Sequence, residues 1–288
     1  MKQLKMARPL KQGAVPPSIL FMMLFLGALV LLALLTPLIF PVDLGATDLR
    51  HRLAVPAFLD QSSHYLIGTD ELGRDLFIRL LYGMRTSLFV AFTGMLIALA
   101  LGLAMGVAGG LMGGKVDAFL MMLVDARLSM PTTIIGIVCV CVLGPSQDAL
   151  IFVIGMTGWS GFARLIRGQI MQLKHTSFIA CSRSIGASPM RIIIEHVLPN
   201  IASPIIVEAT LSMSGFILLE SSLSFMGLGI QPPNTSLGVL VSNGRDFMIN
   251  QWWLAIAPGA LITAIILQVS LIGDWLRDKL DPKLKNKS

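Results

Sequence analysis

The sequence predicts an all-α membrane protein with six transmembrane helices, and three observations carry that prediction. Of its 288 residues, 55% are hydrophobic and only 13% charged, about half the charged fraction of a soluble globular chain. Five apolar stretches, 19–40, 87–112, 118–143, 201–225 and 251–273, reach the roughly 20 helical residues that cross a hydrocarbon core about 30 Å thick. A sixth, more polar stretch at 149–169 is read as a further span. The third observation is the placing of positive charge. With the N-terminus inside, 15 of the 22 Lys and Arg fall on the inner side and six on the outer, with Arg127 inside the third span. Both termini are therefore expected in the cytoplasm. The net charge of +6 calls for no nucleic acid, because inner loops that face anionic lipid are basic.

Residues 1–18 read as a short basic tail containing "VPPS". The 19–40 span exceeds the apolar core of a secretory signal, about 7–15 residues, and "LALLTPLIF" offers no small-x-small cleavage site, so it is expected to stay as an anchor. The 41–86 loop is the longest outer segment. Within it, "GTDELGRDLFIRLLYGMR" sets Leu72, Leu76, Phe77, Leu80, Leu81 and Met84 at helical spacing, with Arg74, Asp75 and Arg79 between them. Such an amphipathic helix suits the outer ends of the spans, the membrane surface or a protein groove. A core over 87–276 follows, containing an inner loop at 170–200, and 277–288 form a second basic tail. Cys139 and Cys141 stand two apart on a helix and so point away from each other, while Cys181 lies on the inner side, where thiols stay reduced. Neither a disulfide nor a metal site is expected.

"GGLMGGKVD" (Gly109 to Asp117) matches the phosphate-loop pattern at Gly109, Gly114 and Lys115, but Val116 stands where a metal-binding hydroxyl is required. No strand is expected before it. Gly102, Gly106, Gly110 and Gly114 instead recur every four residues, placing them on one helix face that lets another helix approach closely. If ATP drives this protein, another chain holds it.

Ionisable groups inside spans are costly and are paired or line a wet path. Asp125 and Arg127 in the third span stand two apart and do not face each other, and Pro131 follows them in "LSMP". Glu208 and Glu220 in the fifth span are twelve apart, about 120° around a helix. Asp125, Glu208 and Glu220 are candidates for a translocation path, against the alternative of structural pairing or a position at a helix end.

The inner loop between the fourth and fifth spans, "LKHTSFIACSRSIGASPMRIIIEHVLPN" (Leu173 to Asn200), divides into two short helices. Positions 178–185 end at Gly186, a natural helix C-terminus, and Ser188 and Pro189 suit the N-cap and first turn of the next. Met190, Ile193, Ile194 and Val197 then form an apolar stripe expected to pack under the spans. "SRSIGASPMRIIIEHVLPN" resembles the cytoplasmic coupling loop of ABC importer permeases, the EAA loop, with its glycine at Gly186 and its Leu-Pro at Leu198 and Pro199. "IGTDELGRDLFIRLLYG" (67–83), "SSLSFMGLGIQPP" (221–233), "APG" (257–259) and "IGDWLRDKLDPKL" (272–284) resemble the dipeptide, oligopeptide and nickel branch, permease C type.

That resemblance implies a type I ABC importer permease fold, one N-terminal helix plus a five-helix core, in the inner membrane of a prokaryote. It implies a sister permease making a heterodimer, two cytoplasmic ATPase subunits that use ATP and Mg, and an extracytoplasmic substrate-binding protein, with no cofactor and no catalysis in this chain. The ATPase-coupling residues it implies are Ala180, Cys181, Ser182, Arg183, Ser184, Gly186, Ala187, Ser188, Pro189 and Pro199. The family's Glu-Ala-Ala falls on Ala180, Cys181 and Ser182, so its acidic residue is missing here. The expected cargo is peptides, nickel or metal chelates. A secondary transporter or channel would call for inverted repeats and charges near the midplane, and no repeat is visible. An intramembrane enzyme would call for a grouped site, whereas His51, His64, His175 and His196 are scattered over loops and Glu195-His196 lacks a second His.

Overall fold

The computed structural model describes residues 15–174, 176, 188 and 191–280. Its helices run α1 (Pro17–Ile39), α2 (Leu76–Met112), α3 (Gly114–Ser129), α4 (Thr132–Leu143), α5 (Gln147–Lys174), α6 (Leu198–Phe225), α7 (Leu237–Arg245) and α8 (Trp253–Leu280). A 3-10 turn, Leu49–His51, sits in the first loop, and a π-helical segment, Ile192–Val197, leads directly into α6. α1, α2, α5, the segment 192–225 and α8 are each long and apolar enough to cross a membrane. α3 and α4 meet the same test only when taken together, across an 89° bend, and count as a sixth span if that bent pair is one. The loops 41–75 and 226–252 lie at one end of the bundle, called here the loop end. Met112, Gly114, Lys174 and Arg191 lie at the other, the far end.

The centre of the bundle is the α2–α5 pair. A Cβ on Gly102 would stand 2.4 Å from Phe162 Cβ, on Gly106 2.8 Å from Ile166 Cβ, and on Gly110 2.8 Å from Ile170 Cβ. Gly94 against Ile154 and, from the other side, Gly155 against Ile97 extend the same contact, each at 2.6 Å. Lipid tails are as apolar as these side chains, so close van der Waals contact between backbones, not exclusion from water, holds such helices together. Phe162, Ile166 and Ile170 are buried there with Met95 and Ala98. Gly114 stands outside the row. α2 ends at Met112, Gly113 and Gly114 both take positive φ, and a Cβ on Gly114 would meet nothing within 4 Å. The phosphate-loop look-alike is thus a turn between two helices.

Three boundaries differ from the sequence reading. The amphipathic stretch and the second span are one 37-residue helix, capped by Asp75, whose carboxylate accepts from Phe77 N at 2.8 Å and Ile78 N at 3.3 Å. Leu76, Leu80, Leu81 and Met84 bury against Trp253, Leu254 and Leu240 at the loop end. The expected third span, 118–143, is broken because Pro131 has no amide to continue α3 and instead starts α4. The expected stripe of Met190, Ile193, Ile194 and Val197 is also redrawn, Met190 lying outside the described residues. Ile192 and Val197 are the buried pair and Ile194 is 55% exposed, because π winding brings residues five apart onto one face.

α1 is peripheral. Only its Ala33 and Thr36 are buried, and Tyr82 of α2 donates to Phe40 O just past its end at 2.8 Å. The remaining apolar surface of α1, including Phe21, Leu24 and Leu38, is exposed, as a lipid-facing helix requires.

The close approach generates the first prediction. Gly102→Val is expected to lower stability by about 1–3 kcal/mol through overpacking against Phe162 and the Trp159 carbonyl. Gly27→Ala, on α1 with nothing within 4 Å, is expected to be neutral within about 0.5 kcal/mol. Thermal unfolding of the two purified variants in one detergent distinguishes them.

Candidate functional sites at the two ends and the centre

At the loop end, two stretches far apart in sequence meet. "IGTDELGRD" wraps around Asp70, which is 4% exposed. Its carboxylate accepts from Leu72 N and Arg74 N, both at 2.9 Å, from Arg74 Nε at 2.7 Å, and from Arg79 Nη1. The backbone closes tightly enough that glycine is required at position 73. Its φ is +75°, and a Cβ would fall 1.8 Å from Asp48 O. Burial pushes the Asp70 carboxyl up, but the Arg74 amide, the Arg79 guanidinium, the Leu72 amide and the Arg74 side chain outweigh it and hold the carboxyl below its ordinary range. Beside this cluster, Arg74 and Arg79 line a cavity of about 340 Å³ with Ser224, Gly229, Gln231 and Asn243, residues of the 221–243 stretch.

Directly beneath lies Glu220, fully buried. Ser224 Oγ donates to Oε1 at 2.7 Å and Ser221 Oγ to Oε2 at 3.3 Å, and the hydroxyls of Ser87 and Ser236 also bond to it. Ser87 in turn accepts from Leu237 N at 3.2 Å. Glu220 therefore ties α2, α6 and the start of α7 together from inside the bundle. It does not line either of the cavities described here.

In the centre, the bend between α3 and α4 opens a cavity of about 410 Å³ lined by Arg127, Thr132, Thr133, Thr157, Ser212, Phe216 and Ser222. Arg127 Nη2 donates to Thr132 Oγ1 across the bend at 2.9 Å. Asp125 points elsewhere, pairing with Arg164 of α5, and both are exposed. Glu208 is half-buried one turn from the cavity. It accepts from Ser212 Oγ at 3.2 Å and lies against Gly161 of α5.

At the far end, α5 is fastened to its neighbours. Arg167 forms a two-pronged pair with Asp117 of α3 at 2.8 and 2.6 Å, and Lys174 Nζ donates to Leu111 O of α2 at 3.0 Å. These partners are 50 and 63 residues apart, so no local spacing pointed to them. Of the residues that the sequence resemblance points to for ATPase coupling, Ser188 and Pro199 are described. Ser188 accepts from Arg191 N through its side chain at 3.3 Å and from Ile192 N through its carbonyl at 3.0 Å, the geometry of an N-cap. Pro199 is exposed in the first turn of α6. Ala180, Cys181, Ser182, Arg183, Ser184, Gly186, Ala187 and Pro189 lie outside the described residues.

Among the described residues the chain is an all-helical bundle with several helices long and apolar enough to cross a membrane, the architecture of a membrane-embedded protein. The match to the family described as "Binding-protein-dependent transport system inner membrane component" extends over residues 98–286, and this chain belongs to that family. It is 36% identical over 92% of its length, and 88% of the relative's, to the di/tripeptide transport system permease protein DppC of Pseudomonas aeruginosa. It is 36% identical over 96% of its length, and 85% of the relative's, to the dipeptide transport system permease protein DppC of Bacillus subtilis. Among solved structures, an inward-facing conformation of the MetNI methionine ABC transporter matches with a TM-score of 0.59. The match covers 72% of this chain and 98% of that one at 18% identity, and it concerns the fold.

Two predictions follow from the buried carboxylates. Asp70→Asn is expected to destabilise the loop end by about 3–5 kcal/mol, since it leaves Arg79 buried without its anion. Because the Asp70 value is lowered on folding, its contribution is complete above about pH 4 and is lost as pH falls through the folded value. Unfolding scans of wild type and Asp70→Asn should therefore converge in acid. Glu220→Ala, which strands four serine hydroxyls, is expected to lower the midpoint more than Glu220→Gln, which keeps two acceptor or donor positions in the same space.

Proposed function

We propose that this chain is the permease subunit of an ATP-driven, binding-protein-dependent importer of peptides, and that it works as one half of a heterodimer with a sister permease. The observation that carries the reading is the alignment, over more than nine-tenths of the chain, with permeases named for dipeptide and di/tripeptide transport. Peptides are preferred over nickel or metal chelates as cargo. Among the described residues no group of three or more His, Cys, Asp or Glu side chains could hold a metal ion, and the 17 Met suit apolar packing.

In this reading both termini and the far end are cytoplasmic, in the inner membrane of a prokaryote, and the loop end receives the binding protein. Two ATPase subunits hold ATP and Mg, and this chain binds no cofactor. Their closure moves the 178–199 loop as a rigid knob, Gly186 allowing its turn. The ties of Arg167 and Lys174 to α3 and α2 support that transmission, because α5 leads straight into the loop and cannot shift without carrying its neighbours. The missing acidic residue at Ala180 leaves Arg183 and the Gly186 turn as the contact elements of the loop. The exposed apolar face of α4, with Ile134, Val138 and Val142, suits the sister permease.

The test is affinity purification of the tagged chain co-expressed with its genomic neighbours. Wild type is expected to recover an ATPase whose activity responds to loaded binding protein, and Gly186→Asp to lose that ATPase or its response while remaining folded. A folded, ATPase-free protein that still transports would replace this reading with a secondary transporter.

A further inference from the structure

Arg127 is the one guanidinium among the described residues that lines the central cavity. Its Nε is shut off from solvent without a hydrogen-bond partner. Of its five N–H donors only one, on Nη2, has an acceptor, the hydroxyl of Thr132. No carboxylate pairs with it, since Asp125 is committed to Arg164 and Glu208 to Ser212. A cation at this depth is costly unless an anion meets it, and the chain itself supplies none among the described residues.

The rest of the lining has the opposite character. Thr157 Oγ1 donates its proton to Val153 O at 2.7 Å and Ser222 Oγ to Leu218 O at 2.7 Å, while Ser212 Oγ donates to Glu208. Each hydroxyl spends its single proton on its own helix, which leaves its oxygen as an acceptor toward the cavity. The cavity thus offers one strong, charged donor at the bend and several acceptors on α5 and α6. That is the complement of a zwitterion with a carboxylate at one end and N–H groups along the rest. The volume of about 410 Å³ falls within the range of about 300–1,000 Å³ typical of small-ligand sites. Thr157 lies ten residues inside α5 from Gln147, about 15 Å at 1.5 Å per residue, so the site is near mid-depth in the bundle.

We infer that Arg127 binds the terminal carboxylate of a peptide in transit through this cavity, with the hydroxyl oxygens of Thr157, Ser212 and Ser222 receiving the peptide's N–H groups. The inference rests on the peptide-import reading and adds the residue that recognises the cargo inside the membrane. A planar guanidinium can grip a carboxylate with two parallel hydrogen bonds, which a lysine ammonium cannot. Passage stays possible because the other contacts are single neutral hydrogen bonds.

The experiment uses the complete transporter in proteoliposomes, with the binding protein saturated either with a dipeptide or with the same dipeptide amidated at its C-terminus. Wild type is expected to import the acid at least about tenfold faster than the amide, the worth of a hydrogen bond to a charged group. Arg127→Gln is expected to bring the two rates together by slowing the acid, Arg127→Lys to keep part of the preference, and Thr132→Val, which spares the cation, to keep most of it. An Arg127→Gln transporter that retains the wild-type preference would overturn the inference. So would one that loses acid and amide import in equal proportion, since Arg127 would then be only a brace for the α3–α4 bend. A wild-type assembly with active ATPases that imports neither peptide would instead overturn the peptide reading on which the inference rests.

Discussion

The contact between α2 and α5 is the constraint on which the rest of this molecule depends. Where a soluble protein could rely on burial from water, these helices meet in a medium as apolar as themselves. The missing side chains of Gly94, Gly102, Gly106, Gly110 and Gly155 bring the two backbones close enough for dispersion to act along most of their length. α6 packs on this pair, α8 and α7 on α6, and α1 lies on the outside. α3 is tied to α5 by the Asp117–Arg167 and Asp125–Arg164 pairs and by Val124 against Trp159 and Ala163, while α4 packs on α5 through apolar side chains such as Val140.

Those polar ties are arranged by depth. At the loop end, Asp70 and Glu220 are both buried carboxylates, yet they are satisfied differently. Asp70 sits between two guanidiniums and two amides and organises a backbone turn, whereas Glu220 has hydroxyl neighbours and knits three helices. At the far end, Asp117 and the Leu111 carbonyl hold Arg167 and Lys174, so the end of α5 is fastened laterally to α3 and α2. In the middle, Arg127 has no carboxylate partner among the described residues, and only one of its N–H groups meets an acceptor, the Thr132 hydroxyl. A transporter has reason to leave its central polar group unsatisfied, because a site already filled by the protein cannot receive cargo.

The bend at Pro131 gives this middle layer its opening. The break turns α4 away by 89°, leaves Thr132 and Thr133 lining the cavity beside the buried Thr157, and goes with an exposed apolar face on α4. The same break thus borders both the cavity and the exposed apolar face of α4.

Much was legible in the sequence because its causes are local. Apolar length predicts the spans, a four-residue glycine period marks the packing face, Ser188 in front of Pro189 marks a helix start, and family-like motifs such as "IGTDELGRD" and "SSLSFMGLGIQPP" mark the class. What the sequence could not reveal arises between residues far apart in the chain. That Asp125 meets Arg164 rather than Arg127, that Asp117 meets Arg167, that Glu220 is held by Ser87 and Ser236, and that the two signature motifs share one cavity all depend on which helix faces come together. Helical period states which residues share a face, but not which neighbour that face meets. Even the glycine row needed the tertiary structure to end it at Gly110, because a period of four continues through a turn that the backbone does not. The sequence by itself determined a membrane permease of this family. The tertiary structure alone decided where its polar groups pair, and that Arg127 lines the central cavity without a carboxylate partner among the described residues.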